Sequence, residues 1–69
     1  MLTAKQPFRH YQTRDLQECA EREVKRRRRA YANRLMTHRM SQAQADAEIA
    51  KMEAIAEHLA ELAEKERLL

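Results

Sequence analysis

The chain has 69 residues and a mass of 8.2 kDa, with 14 Lys/Arg against 11 Asp/Glu and an apolar share of 43% that leans on twelve alanines. That size allows one domain at most, below the range in which a single core is comfortably self-sufficient, and one Phe, two Tyr and no Trp exclude a thick aromatic core. The absence of glycine and the single proline, Pro7, argue against an all-β fold, and one cysteine, Cys19, excludes an internal disulfide framework or a Cys-type zinc site.

Residues 1–12, MLTAKQPFRHYQ, carry Pro7, Phe8 and Tyr11 without a 3.6-residue period and read as an extended arm. Phe8 and Tyr11 are expected to tie that arm to the helices. From about residue 14 to residue 36 the pattern turns helical, with Asp15 and Glu18 spaced as an Asp variant of a capping box. Leu16, Ala20, Val24, Tyr31 and Leu35 fall within an arc of about 100° at 100° per residue, giving one buried face. Cys19 lies at the margin of that arc and reads as a small core residue.

Residues 37–41 break the period. Ser41 and Gln44 spell a second capping box, with Met40 and Ala45 placed as its hydrophobic staple. From residue 42 to about residue 67, Ala45, Ile49, Met52, Ile55, Ala56, Leu59, Leu62 and Ala63 recur at spacings of three and four, close to a heptad pattern. The fold class expected is all-α: an arm and an antiparallel two-helix hairpin, with a longer second helix whose overhang leaves apolar seam uncovered.

Such a hairpin buries little, since a core in a chain this small supplies no more than about 3 to 5 kcal/mol. Dimerisation into a four-helix bundle is the expected remedy, through the seam of Leu16, Val24, Tyr31, Leu35, Ile49, Met52, Ile55, Leu59 and Leu62 or through the small-residue stripe Ala43, Ala47, Ala50 and Ala54. Charge adds a bias toward folding back. Residues 1–40 hold eleven Lys/Arg against four acids, whereas residues 41–69 hold three against seven.

The run Lys25 to Arg29 is the most conspicuous feature, because five consecutive cations wrap every face of a helix. Arg22, Lys25, Arg26 and Arg29 point away from the expected core, and with Arg39 they form a candidate partner-binding set for phosphates or an acidic protein surface. Arg27 and Arg34 sit at the edge of the apolar arc. Glu48 falls within the seam of the second helix, where a carboxylate requires a partner, so a structural ion pair with Arg27, Arg28 or Arg34, or a bond to Tyr31, is expected across the hairpin. His10, His38 and His58 show no ligand spacing, and neither a Gly-rich phosphate loop nor paired carboxylates are present, so neither metal, cofactor nor catalysis is expected. No apolar run suits a membrane span or a signal peptide, which leads to the expectation of a cytoplasmic protein without membrane contact.

The stretch ECAEREVKRRRRAYANRLMTHRMSQAQADAEIAKMEAI, residues 18–55, resembles a group of short, mostly uncharacterised proteins encoded by phages and prophages of proteobacteria. The resemblance rests on Cys19, Arg22, Glu23, Val24, Arg27, Arg28, Tyr31, Arg39, Met40, Ala45, Asp46, Glu48, Ile49, Met52 and Ile55. Members usually place Pro after the Tyr, where this chain has Ala32 and Asn33, a departure that implies a longer unbroken first helix. The resemblance implies a phage-type accessory or inhibitor protein in a bacterial host cell, a setting in which anti-CRISPR and other anti-defence inhibitors are common. The function expected is therefore non-enzymatic binding of a host protein or ribonucleoprotein through the basic helix face. The alternative is direct binding of structured RNA or DNA by a dimeric basic hairpin. A ribbon-helix-helix repressor fits poorly, because the first helix is about twice too long and the arm lacks strand alternation.

Overall fold

The computed structural model describes residues 11–69. It contains two helices, α1 (Thr13–Met36, 24 residues) and α2 (Gln42–Leu68, 27 residues), arranged as an antiparallel all-α hairpin with no strand among the described residues. The expected arm, with Phe8, lies outside the described residues except for Tyr11 and Gln12; Tyr11 is exposed.

The start of α1 corrects the expected cap. Gln12 is the N-cap in an extended conformation, and Asp15, three residues into the helix, accepts the Gln12 backbone N–H through Oδ2 at 3.1 Å. Asp15 thus serves as the returning member of the box rather than its first residue, because a carboxylate one turn in can reach back to a free N–H and also face the positive end of the helix. Glu18, the expected second member, lies 3.5 Å from Arg14 instead.

At the other end of α1, His38 adopts a left-handed φ of 59°. Its N–H donates to Leu35 O at 3.2 Å and the Arg39 N–H donates to Arg34 O at 2.8 Å, the paired bonds of a Schellman termination. This position normally goes to glycine, which the chain lacks, and His38 fills it at a steric cost. The chain then enters α2 through the expected box: Ser41 Oγ accepts the Gln44 N–H at 3.1 Å and Gln44 Oε1 accepts the Ser41 N–H at 3.0 Å. Met40 is half-buried and Ala45 is 4% exposed, as a staple requires.

Between the helices only Ala20, Ala45 and Ala56 are buried. Leu16, Val24, Tyr31 and Leu35 on α1, and Ile49, Met52 and Leu59 on α2, are half-buried around them. Alanine at the contact lets the two backbones approach closely, and the larger side chains pack at the margins. Thr13 Oγ1 donates to Glu66 Oε2 at 3.0 Å at one end, while Arg28 pairs with Glu53 farther along, so a single register runs the length of the hairpin.

That register removes the expected overhang. Because Thr13, the first residue of α1, meets Glu66 near the end of α2, α1 covers nearly all of α2. Within the covered part of α2, Ile55 at 50% and Leu62 at 39% exposure stay open on a flank of the helix, and the apolar side chains that extend past the Thr13 contact are only those of Leu68 and Leu69 at its end. Cys19 is also exposed, which corrects its expected place in the core: at the margin of the α1 arc it faces the same open flank. No helix among the described residues is long and apolar enough to cross a membrane.

Candidate binding face on the first helix

Helical geometry divides the basic run into two groups with different environments. Glu23 precedes Arg26 by three residues and Arg27 by four, the spacings that bring side chains together on one helix surface. Its carboxylate accepts from Arg26 at 3.0 and 2.8 Å, through Nε and Nη2, and from Arg27 Nε at 2.8 Å. These two guanidiniums hold the Glu23 carboxyl down at about 2, Arg26 contributing more than Arg27, against a smaller opposing effect of desolvation. Both guanidiniums are in turn stabilised in their charged form by Glu23.

Arg28 points to the opposite flank and pairs with Glu53 of α2. It is the cross-hairpin ion pair. Arg34 has no ion-pair partner among the described residues; its guanidinium carbon lies 5.5 Å from the centre of the Tyr31 ring, a cation–π distance.

The expected role of Glu48 in bridging the helices is not observed. Its Oε2 lies 2.7 Å from Lys51 Nζ on the same helix, and 42% of its side chain is exposed. Lys51 lowers the pKa of this carboxyl, and Arg27 adds only a weak electrostatic pull. The physical reason is placement: Glu48 occupies the open flank rather than the centre of the seam, so water and a lysine less than one turn away satisfy it, and Arg27 is already held by Glu23.

Arg22, Lys25 and Arg29 are exposed, and no carboxylate lies within ion-pair distance of them among the described residues. At 100° per residue they cluster within about 60° on the outer side of α1, in a ridge about 10 Å long whose edge, at Lys25, borders the groove lined by Glu21, Glu53 and Glu57. Arg39 is exposed too, but lies in the turn past the end of α1, and Arg26 is committed to Glu23. Of the five cations expected to contact a partner, the structure brings three together.

The grooves between the helices offer little for chemistry. The one beside the Arg28–Glu53 pair is lined by Tyr31, Leu35, Gln42, Asp46 and Ile49 and opens broadly to solvent. Among the described residues no three His, Cys, Asp or Glu side chains gather where they could hold a metal ion. Glu23 and Glu53, the residues that sort the arginines, went unnamed in the expected pairings. The spacing of Glu23 from Arg26 and Arg27 was a readable signal for the first; only the hairpin register reveals the second. Comparison of the chain with protein-family models, with curated proteins and with solved structures returns no match.

Proposed function

We propose that the protein is a non-catalytic binding module that docks the Arg22, Lys25 and Arg29 ridge onto an acidic surface of a protein partner. The observation that carries this reading is the contrast within one run of residues. Arg26, Arg27 and Arg28 all have carboxylate partners, whereas the three cations on the back of the helix have none among the described residues. The exposed, unneutralised guanidiniums of Arg22 and Arg29 keep their capacity for bidentate carboxylate contacts at low ordering cost, and Lys25 adds a point charge between them.

A compact acidic protein surface suits this ridge better than a nucleic acid. Three cations neutralise few phosphates compared with the six to ten contacts of about the usual salt-sensitive binder, and α2 brings seven acids against three basic residues. The phage-type accessory or inhibitor role, with an anti-defence role in a bacterial host among its forms, is the setting in which this reading places the protein.

The test is retention of partners from a bacterial lysate on immobilised protein, with and without nuclease, for the natural chain and for the triple variant Arg22→Ala, Lys25→Ala, Arg29→Ala. The expected result is a discrete protein that survives nuclease treatment and is lost at least tenfold in the variant, whose helicity by circular dichroism is unchanged. Enrichment that disappears with nuclease, or retention unchanged by the triple substitution, rejects the reading.

A further inference from the structure

The apolar stripe of α2 is wider than a single partner helix can cover. From Ile49 to Leu62 the apolar positions sweep about 140° of the helix surface at 100° per residue. Ala45, Ile49, Ala56 and Ala63 turn toward α1. Met52, Ile55, Leu59 and Leu62 follow at spacings of three and four along the adjoining edge, and this second line ends in the exposed side chains of Ile55 and Leu62. On α1 the neighbouring edge presents Leu16 and the exposed Cys19. The two helices therefore offer one flank with an apolar centre, bordered by Arg27 on α1 and Glu48 on α2, on the side of the hairpin opposite the Arg28–Glu53 pair and its groove.

We infer that this flank, centred on Ile55 and Leu62, is the face through which two copies of the chain pack into an antiparallel four-helix bundle. Two observations select a second copy as the occupant. The first is the shortage of burial. Among the described residues nothing larger than alanine is buried, and no side chain falls below 2% exposure. A chain with so little burial gains stability from a disulfide, a metal or another subunit. A single cysteine cannot form an internal disulfide and no metal-binding cluster is present among the described residues, which leaves the subunit.

The second observation is charge. α1 carries eight Lys/Arg against four acids and α2 three against seven; at the flank itself the α1 edge holds Arg34 beside the Glu23–Arg27 pair and the α2 edge holds Glu48, so the hairpin is self-complementary there if α1 of one copy lies over α2 of the other. That stacking, with both turns at the same end, makes every adjacent pair of helices antiparallel and aligns their dipoles favourably. It also leaves the Arg22, Lys25 and Arg29 ridge of each copy on the outside, so the dimer does not depend on what the ridge binds.

Sedimentation equilibrium of the natural chain from micromolar to millimolar concentration tests the inference. The expected mass is twice 8.2 kDa, and Ile55→Glu weakens association at least 100-fold, whereas Asp46→Lys, on the opposite flank, leaves it unchanged. In a mixture of the natural chain with a Cys19→Ser, Leu62→Cys variant, so that each copy holds one thiol, a short bifunctional thiol reagent is expected to join Cys19 of one copy to the introduced thiol of the other, giving a covalent dimer. A folded natural chain that stays monomeric at millimolar concentration overturns the inference, even if Ile55→Glu fails to fold. A larger assembly, or a dimer insensitive to Ile55→Glu that yields no crosslink, overturns it as well.

Discussion

The two sides of the basic run in α1 are built from the same residue types at adjacent positions, yet they end in opposite states. Arg26 and Arg27 share Glu23 on their own helix, and Arg28 reaches Glu53 of α2. On the back of the helix, Arg22, Lys25 and Arg29 have no acid within ion-pair distance among the described residues, because Glu18, four residues before Arg22, pairs with Arg14, and Glu21, four before Lys25, accepts from Gln17. Charge density along a sequence is thus a poor guide to available charge. What decides the matter is where the few acids fall on the wheel and which helix faces which.

The most forceful way to break this contrast is to give the back of the helix its own acid. Lys25→Glu places a carboxylate three residues after Arg22 and four before Arg29, reproducing on the outer face what Glu23 does on the inner one. Retention of the acidic partner is expected to fall about 100-fold, equivalent to about 2.7 kcal/mol, with the helix content by circular dichroism preserved.

A smaller effect is expected at the turn, which fixes the register that brings Arg28 to Glu53. Replacing His38 by glycine relieves the left-handed backbone at φ 59° and should stabilise the hairpin by about 1 kcal/mol, raising the midpoint of thermal unfolding by about 5 °C. An unchanged or lowered midpoint would mean that the turn is not strained. Glu53→Gln, which frees Arg28 from a half-exposed pair, is expected to cost only about 0.5 kcal/mol in denaturant unfolding.

The pH dependence sharpens the comparison further. Glu23 has a folded value near 2 against an ordinary value of 4.5, so its pairing contributes stability that is fully present above about pH 4.5 and lost as pH falls toward 2. Glu48 and Glu64, lowered by Lys51 and Arg67, act in the same direction. Thermal unfolding followed from pH 6 to pH 2 should therefore show a declining midpoint, with a shallower decline in Glu23→Gln. A slope identical in the two proteins would show that Glu23 is not the titrating group.

Much of the hairpin was legible because its punctuation is local. Ser41 and Gln44 are three residues apart, and the apolar positions of α2 repeat within one turn, so neither signal needs knowledge of the partner helix. The misreadings share the opposite character. Cys19 lies at the margin of an arc, and whether a marginal residue is covered depends on how α2 leans against it. Glu48 looked central on its own helix, but the centre of the contact is set by the alanines Ala20, Ala45 and Ala56, which carry little weight in a pattern built on Leu and Ile. The supposed overhang came from comparing helix lengths alone, whereas the Thr13 to Glu66 bond shows the helices paired almost end to end. At α1's start, the sequence marks Asp15 as a capping residue but not which end of the box it fills, since Gln12 is an unusual N-cap.

Under the proposed reading the outer cations serve binding and the carboxylate-paired ones serve the fold, and two triple variants measured side by side test that division most directly. One replaces Arg22, Lys25 and Arg29 by Gln, the other Arg26, Arg27 and Arg28 by Gln, and both are assayed for thermal unfolding and for retention of the nuclease-resistant partner. The account predicts a crossed result: the outer variant melts as the natural chain does and loses its partner, whereas the inner variant melts lower and keeps it at temperatures where it is folded. Equal losses of binding in both, with equal melting midpoints, would contradict the division and make the whole run one undifferentiated basic surface.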